Sequence, residues 1–336
     1  MSEKVLVTGA SGFIGSFLVE GALERGMEVW VGIRENSSRR YLKDGRIHFI
    51  ELDLDCPGKL AGQLSMHKRL YGGWDCIIHC AGVTKCLHKE EFETGNYVCT
   101  RNFVEALRTL DMVPGQFIYI SSLCIFGPVH ERDHAPISEN DTAIPDTAYG
   151  ASKLKSEHYL RSMPDFPALI LRPTGVYGPR ERDYLLLVKS VRRHVDFAAG
   201  FKRQDITFIY VKDLVRAVYL AVGCGIRHRA FLLSDGNVYS SRTFSDLVRK
   251  ELGNPWVIHI RCPLFLLKAL SLLAGFMAGC LGKVGTLNGD KYKIMKQRNW
   301  KCDISPLMEE LGYRPEYTLE EGVRETVAWY RKEGWL

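Results

Sequence analysis

The sequence predicts an α/β protein whose first half forms a doubly wound parallel sheet, with a smaller, mainly C-terminal α/β region beside it. Short apolar segments alternate with amphipathic, helix-like segments, as in repeated βαβ units. The apolar segments are hydrophobic at nearly every position, which is typical of strands covered by helices on both faces. The first of them runs directly into a glycine-rich loop. These three observations indicate a Rossmann-type sheet.

The predicted elements of this sheet follow one another in the first half of the chain. Six segments are predicted as strands, at 4–9, 28–33, 47–52, 75–80, 116–121 and 168–173. Helices are predicted between them, near 12–25, 57–70, 90–111 and 149–162.

After residue 174 the alternation becomes less regular. We therefore expect a first domain over 1–174 and a smaller region over 175–336. Within the latter, strand-like segments at 207–211 and 230–234 predict that elements from about 205–235 return to the first sheet.

The composition limits the classes of partner. The chain has 336 residues, of which 46% are hydrophobic, so it can form one large or two moderate domains. Its net charge of +6 is small for this length, which favours a small-molecule partner over nucleic acid. Ten cysteines include no Cys-x-x-Cys pair, and no signal-like segment precedes the first strand. We expect a reduced, cytoplasmic protein.

The glycine-rich loop, TGASGFIG at 8–15, indicates a dinucleotide site. Gly9, Gly12 and Gly15 are spaced by three residues at the turn from a strand into a helix. Glycine permits the tight turn and the close approach of a pyrophosphate, and the helix N-terminus offers free N–H groups. The residues of this loop, with Phe13 and Ile14, are candidate cofactor-binding residues.

The end of the second strand indicates which dinucleotide is bound. NAD enzymes usually place an acid at the ribose hydroxyls, whereas NADP enzymes use arginine for the 2′-phosphate. Arg34 directly follows the strand, with Arg39 and Arg40 close behind, but Glu35 could serve as the acid. The pattern favours NADP over NAD and leaves both open.

Tyr149 and Lys153 form a candidate catalytic pair. They are four residues apart, which places them on one face of a helix. A nearby ammonium and a cationic oxidised nicotinamide lower a tyrosine pKa from about 10, so that the phenol can exchange a proton with a carbonyl or alcohol oxygen. Tyr292 and Lys296 share the spacing, but only Tyr149 follows a strand that ends in a serine pair, Ser121 and Ser122.

With these features the chain resembles the extended short-chain dehydrogenase/reductase family, also described as NAD-dependent epimerases/dehydratases. The resemblance extends over nearly the whole length. It is carried by TGASGFIG, LDL at 52–54, HCAG at 79–82, NYVCTRN at 96–102, YISSLCIFG at 119–127, YGASK at 149–153, RPTGVYGP at 172–179 and FIYVKDL at 208–214.

The resemblance implies roles for individual residues. Ser122 would hydrogen-bond the reacting oxygen, Tyr149 would be the acid or base, and Lys153 would hold the nicotinamide ribose. The cofactor-binding residues implied by the resemblance and the loop together are Gly9, Gly12, Phe13, Ile14, Gly15, Arg34, Asp53, Leu54, Ala81, Gly82, Tyr149, Lys153 and Pro173. The helices at 90–111 and 149–162 match those that pair in family dimers, which implies a homodimer.

Departures from the family pattern bear on the reaction. Leu123 and Cys124 stand where dehydratases carry an acid pair, and Gly175 and Ile206 stand where epimerases carry an asparagine and an arginine for the nucleotide. The chain is closest in motifs to 3β-hydroxysteroid dehydrogenase-like and dihydroflavonol reductase-like members. We expect hydride transfer on an apolar carbonyl or secondary alcohol; the alternatives are a nucleotide-sugar epimerase and a non-catalytic NAD(P)-binding protein.

Two further segments invite a functional interpretation. HERDH at 130–134 matches the His-Glu-x-x-His zinc motif, but Pro128 and Pro136 bound it too closely for the long helix that such a site uses. We expect no metal there and predict that the segment borders the pocket.

The apolar segment 263–282 contains fourteen uncharged residues at 269–282, fewer than the ~20 of a membrane span. A buried core helix is therefore expected. Because a basic run follows at 283–301, peripheral membrane contact is the less favoured alternative.

Overall fold

The computed structural model describes residues 3–282, 285 and 287–336. The first residues of the basic run predicted at 283–301, Lys283 and Val284, lie outside the described residues, as does Thr286. The strands are, in chain order, β1 (Lys4–Thr8), β2 (Glu28–Ile33), β3 (His48–Glu51), β4 (Cys76–His79), β5 (Gln116–Ile120), β6 (Ala168–Pro173), β7 (Gly175–Tyr177), β8 (Val195–Ala199), β9 (Asp205–Ile206), β10 (Phe208–Tyr210), β11 (Ala230–Leu233), β12 (Tyr239–Ser240) and β13 (Ile258–Cys262).

The helices lie between and after these strands. They are α1 (Phe13–Glu24), α2 (Pro57–Tyr71), α3 (Glu90–Phe92), α4 (Cys99–Thr109), α5 (Ala148–Arg161), α6 (Asp183–Arg192), α7 (Val211–Ala221), α8 (Thr243–Glu251), α9 (Leu264–Cys280), α10 (Gly289–Lys296), α11 (Ser305–Glu310) and α12 (Leu319–Lys332). A π-helical segment, Glu93–Val98, joins α3 to α4, so the helix predicted at 90–111 contains a wide turn that its sequence does not reveal.

Seven parallel strands form the main sheet, in the order β11-β6-β5-β4-β1-β2-β3. The six predicted strands are β1 to β6, and the predicted doubly wound fold is confirmed. The strand order reverses on either side of β1, whose neighbours are β2 and β4. Ligands of such sheets bind beyond the carboxyl edge at this reversal.

The core lies in two layers, one on each face of the sheet. Along β1, Val5 and Val7 belong to one hydrophobic cluster and Leu6 to the other. Successive side chains of a strand point to opposite faces, so a strand with helices on both sides is apolar throughout. This explains why the first strands were recognisable from sequence.

The second half of the chain contributes one strand to the main sheet. β11 pairs with β6, whereas β10 pairs with β7 in a separate two-stranded sheet. Of the elements expected to return from 205–235, only β11 is a strand of the main sheet, while α7 packs on α1 through a hydrogen bond from Tyr219 Oη to Leu18 O. The domain division at residue 174 stays a prediction.

Helix α9 corrects one expectation. Its residues include a long apolar run, but only Leu267 and Ser271 are buried, while Phe265 is 77% and Phe276 71% exposed. The prediction of a buried core helix is wrong because periodicity cannot tell whether the rest of the chain covers a helix that is apolar on every side. None of the described helices combines the length and the hydrophobicity that a membrane span requires.

A buried ion pair fastens α5 to the sheet. Glu157 of α5 and Arg172 of β6 are 1% and 4% exposed, and Arg172 Nη2 lies 2.6 Å from Glu157 Oε2. Ser121, at the end of β5, also donates a hydrogen bond to Glu157 Oε1. α5 therefore has a fixed position relative to β5 and β6.

We expect the substitution Glu157→Gln to lower the free energy of unfolding by about 3–5 kcal/mol, because it leaves the buried Arg172 charge without a counter-ion. Urea denaturation followed by circular dichroism measures this. Glu93→Gln is the control: Glu93 pairs with Lys155, both about half exposed, and its loss should cost less than about 1 kcal/mol. Equal losses in the two variants would contradict the structural role of the pair.

Candidate active site

A cleft of about 530 Å³ opens at the carboxyl edge of the sheet, beside β1 and β4. It is lined by loops that follow β1, β2, β4, β5 and β6. Twelve of the thirteen predicted cofactor-binding residues line it, namely Gly9, Gly12, Phe13, Ile14, Gly15, Arg34, Leu54, Ala81, Gly82, Tyr149, Lys153 and Pro173. Ser122 lines the same cleft.

Asp53 is the exception. Its carboxylate accepts a hydrogen bond from Gln63 Nε2 at 3.0 Å, and its backbone N–H donates to Gln63 Oε1. The side chain is thus engaged by α2, and of the two neighbouring acids it is Asp55 that lines the cleft. Sequence reasoning missed Asp55 because the strand-end motif gave no sign of which of the two neighbouring acids faces the cleft.

The glycine loop has the shape that a dinucleotide requires. A Cβ atom on Gly15 would lie 2.2 Å from Gly9 O, and one on Gly9 would lie 2.7 Å from Ala81 N, so only glycine permits this approach of β1, α1 and the loop after β4. Gly9 has a φ of +68°. α1 begins at Phe13 with no side-chain cap, which leaves its first N–H groups available to a pyrophosphate. The loop therefore fits a dinucleotide.

The three predicted catalytic residues come from two elements. Ser122 follows β5, and its Oγ accepts a hydrogen bond from Cys124 N at 3.2 Å. Tyr149 and Lys153 lie one turn apart at the start of α5, which Thr147 caps. Lys153 is buried, and its Nζ donates a hydrogen bond to Ile120 O at 2.8 Å. The ammonium is thus held between β5 and the cleft.

Burial raises the pKa of Tyr149 to about 12, while the Lys153 charge and a hydrogen bond from Ser122 act in the opposite direction. The phenol is therefore protonated at neutral pH in the protein without ligand. This differs from the lowered pKa expected from the sequence, because the Lys153 charge and the Ser122 hydrogen bond do not outweigh the effect of burial. A bound cation such as an oxidised nicotinamide would act in the same direction as Lys153 and lower this pKa.

Asn96 positions the loop after β4. It is fully buried in the π-helical segment, its Oδ1 accepts from Val83 N at 2.8 Å, and its Nδ2 donates to Ser152 Oγ at 2.9 Å. A Cβ on Gly82 would lie 2.6 Å from Asn96 Oδ1 and 3.4 Å from Lys153 Nζ. The amide therefore ties this loop to α5 and has a structural role.

His79 also helps to fix the loop after β4. It is fully buried and bonded through its two ring nitrogens to Thr8 Oγ1 at 2.8 Å and Thr100 Oγ1 at 3.0 Å. Burial lowers the pKa of His79 to about 3, so the ring is neutral. Thr8 Oγ1 in turn accepts from Ala81 N at 3.3 Å, which links β1 to the loop that closes the cleft.

Of the basic residues after β2, one lines the cleft. Arg34 does so, together with Ser37, whose Oγ accepts from Arg34 N at 2.9 Å. Arg39 stacks on Phe49 at 4.4 Å, and Arg40 pairs with Glu333 at 3.1 Å. Glu35, the alternative acid for a ribose, is not among the lining residues.

The far side of the cleft carries residues that the sequence argument did not name. Thr84, Val176, Glu181 and Asp183 line it. The Glu181 carboxylate accepts from the backbone N–H groups of Asp183 and Tyr184, at 2.7 and 2.6 Å. Glu181 and Asp183 follow the RPTGVYGP segment, Val176 lies within it, and Thr84 comes shortly after HCAG; these positions beside known motifs were the only available signal.

The departures expected to affect the reaction are visible in the structure. Leu123 is buried in the core, and neither it nor Cys124 brings an acid beside Tyr149. A Cβ on Gly175 would lie 2.5 Å from Tyr184 Oη, so the Tyr184 ring occupies the space that a longer side chain at 175 would need.

The HERDH segment lies outside the residues that line the cleft, and its two histidines do not converge on one point. His130 bonds Asp141 at 3.0 Å, whereas His134 lies 3.2 Å from Asp205 and accepts from Arg298, so the two rings have different partners. No cluster of three or more metal ligands occurs among the described residues. The prediction that 130–134 borders the pocket is wrong, since none of these residues lines it. Instead, His134 contacts Asp205 and Glu131 accepts a hydrogen bond from Arg298 N.

The comparisons with known proteins agree with this geometry. The model of the family described as NAD dependent epimerase/dehydratase matches residues 5–229. A ceramide reductase of Caulobacter vibrioides is 26% identical, covering 99% of this chain and 96% of the relative. A decarboxylating sterol-4-alpha-carboxylate 3-dehydrogenase of Dictyostelium discoideum is 22% identical over 92% of this chain and 100% of its own length.

Solved structures share the fold. The UDP-glucose 4-epimerase of Thermus thermophilus in complex with NAD superimposes with a TM-score of 0.77 at 21% identity, covering 98% of this chain and 99% of that chain. Since the family model spans about two thirds of the sequence and contains the glycine loop, Ser122, Tyr149 and Lys153, the chain belongs to the NAD-dependent epimerase/dehydratase family.

Proposed function

We propose that the chain catalyses net hydride transfer between NADP(H) and the carbonyl or secondary alcohol of an apolar small molecule. One observation carries the proposal: Ser122, Tyr149 and Lys153 line the same cleft as the glycine loop, at the reversal of strand order. The dinucleotide loop and the proton-transfer group are thus parts of one continuous site.

The residues of the chain have separate tasks in this reaction. A bound nicotinamide supplies or accepts the hydride. Tyr149 Oη donates its proton to the carbonyl oxygen during reduction and removes it from the alcohol during oxidation. Ser122 Oγ donates a hydrogen bond to the same oxygen, and Lys153, anchored on Ile120 O, holds its positive charge near the phenol.

One feature disfavours dehydration, and two others support an apolar substrate. The absence of an acid directly after Ser122 disfavours dehydration, which needs additional proton transfers. Gly175 and Ile206 remove two polar contacts expected for a nucleotide sugar. Two relatives are named after predominantly apolar molecules: one is a ceramide reductase and the other is a sterol-4-alpha-carboxylate 3-dehydrogenase.

Arg34 supports NADP as the preferred cofactor. Arg34 lines the cleft at the end of β2, where an adenosine ribose would lie, and Glu35 does not. No ion pair involving Arg34 occurs among the described residues, so the charge is available to a 2′-phosphate.

Epimerisation of a nucleotide sugar is the second candidate. Lys85 and Lys291 both pair with Asp183 at the far side of the cleft and could shift to a diphosphate. A non-catalytic NAD(P)-binding protein is the third. We also propose the homodimer implied by the two matching helical segments, α3–α4 and α5.

The direct test is turnover with NADPH and a panel of steroid, aldehyde and sugar-nucleotide candidates. We expect consumption of NADPH equal to the alcohol formed, and a fall in kcat of at least about a hundredfold for Tyr149→Phe. Isomerisation of a sugar nucleotide without net NADPH consumption would favour the epimerase instead. Full activity of Tyr149→Phe would contradict the proposed role of the phenol.

Lys153→Met should move the pH dependence of alcohol oxidation. Oxidation needs the deprotonated phenol, and loss of the Lys153 charge removes an effect that lowers the pKa of Tyr149. The rising limb of the kcat profile, measured at saturating cofactor, should therefore shift to higher pH. Lys155→Met, at a position that is exposed and paired with Glu93, is the control and should leave the limb in place. An unshifted limb in Lys153→Met would be evidence against this electrostatic role.

Arg34→Ala should raise KM for NADPH about tenfold or more and change KM for NADH little, because only NADPH carries the 2′-phosphate that the guanidinium would bind. Steady-state kinetics with both cofactors measures this. Arg39→Ala, which removes an arginine stacked on Phe49 outside the cleft, serves as the control. A similar loss with both cofactors would show that Arg34 does not select NADP.

A further inference from the structure

We propose that α9 lies in the surface of a lipid bilayer that contains anionic lipids. The inference concerns a surface outside the cleft, and docking at this surface does not depend on the proposed reaction. The surface is the outward side of α9, formed by Phe265, Leu266, Leu272, Leu273, Phe276 and Met277, and is called the apolar platform below. All six side chains are exposed.

The helix has two sides with different environments. Leu267 and Ser271 are buried and, with Ala278, which packs against the segment after the helix, mark the side that faces the protein. At 3.6 residues per turn, Phe265, Leu272 and Phe276 lie on the opposite side. They are 77%, 59% and 71% exposed. A helix that is apolar all round is normally covered all round, and here the described chain covers one side.

The dimensions favour an in-plane position. α9 has 17 residues and is therefore about 25 Å long, which is less than a helix needs to cross a bilayer. An interfacial helix needs only to bury its apolar side at the level of the headgroups. The platform supplies such a side over the length of α9.

The charges around the platform indicate an anionic lipid surface. Arg261 and Lys268, before and within α9, and Lys202, in the turn after β8, are exposed, and no ion pair involves them within the described residues. β8 adjoins the start of α9, since a Cβ on Gly200 would contact Leu264 at 3.3 Å. Residues 256–282 contain no acid.

The same charges disfavour a second copy of the chain on this surface. The single acid of β8, Asp196, is buried and bonded to His259 Nδ1 at 2.9 Å. A two-fold contact through the platform would therefore bring Arg261 and Lys268 near their counterparts with no exposed carboxylate from 256–282 to balance them. Headgroup phosphates supply that balance, because the negative surface of an anionic bilayer attracts lysine and arginine side chains.

One helix connects the platform with the mouth of the cleft. The chain after α9 packs back against this helix: a Cβ added to Gly285 would lie 3.1 Å from Ala278 Cβ. α10 then begins, and its Asp290 accepts a hydrogen bond from Ala148 N, one residue before Tyr149. Lys291 of α10 reaches Asp183 in the cleft at 3.3 Å. If the proposed function holds, an apolar substrate would enter from the bilayer beside this helix.

Vesicle sedimentation of the full chain tests the proposal. The protein is mixed with vesicles of phosphatidylcholine alone or of phosphatidylcholine with phosphatidylglycerol. We expect sedimentation with the mixed vesicles and weaker binding to phosphatidylcholine. Leu272→Ser/Phe276→Ser should reduce the partition coefficient at least about tenfold. Arg261→Gln/Lys268→Gln should reduce binding to the mixed vesicles selectively.

A matched control is available on α2. Met66 and Leu70 are 59% and 55% exposed. They are four residues apart, which is also the spacing of Leu272 and Phe276. Met66→Ser/Leu70→Ser should bind vesicles as the wild type does. Absence of wild-type sedimentation with the mixed vesicles, or equal losses in the two apolar pairs, would overturn the proposal. So would ultracentrifugation without lipid in which Leu272→Ser/Phe276→Ser converts a dimer to a monomer, since the platform would then be a contact between copies.

Turnover of a water-soluble carbonyl separates this proposal from the proposed function. Without vesicles, Leu272→Ser/Phe276→Ser should keep wild-type activity because neither residue lines the cleft. Vesicle binding without turnover of any carbonyl would reject the reaction alone. Turnover without vesicle binding would reject the membrane surface alone.

Discussion

The close approach of three backbone segments at Gly9 is the constraint on which the rest of the site depends. β1, the start of α1 and the loop after β4 meet there at distances that leave no room for a Cβ on Gly9 or Gly15. This approach brings the free N–H groups of α1 and the Ala81–Gly82 loop to the same side of the sheet. The Thr8, His79 and Thr100 contacts then fix the loop from below.

A second set of contacts determines where proton transfer can occur. α5 is held on the sheet by Glu157 and Arg172, and Asn96 joins it to the loop beside Gly82. Lys153 therefore remains next to the strand end that carries Ser122. The burial that orders these groups also raises the pKa of Tyr149, so the arrangement favours the protonated phenol. The packing of α5 on the sheet therefore also affects the pKa of Tyr149.

Much of the fold and site could be predicted because several local signals agreed. β1 to β6 could be recognised because strands that are covered on both faces are apolar throughout. The glycine loop could be recognised because its conformation requires glycine at specific positions. The placement of Asp53, Asp55 and α9 depends instead on which partner the folded chain supplies. Gln63 engages Asp53, and the protein covers only one side of α9. HERDH is the opposite case: the local sequence matches a zinc motif, but such a match does not predict a zinc site unless a helix and a third ligand are also present.

The central claim is that the cofactor's hydride ends in the product. Reduction of an apolar ketone with NADPH deuterated at the transferred position of the nicotinamide tests this most directly. We expect one deuterium at the carbinol carbon of the alcohol, detected by mass spectrometry, and at least about a hundredfold less of this deuterated alcohol with Tyr149→Phe. Deuterium that stays in the nicotinamide while a substrate is turned over would contradict net hydride transfer.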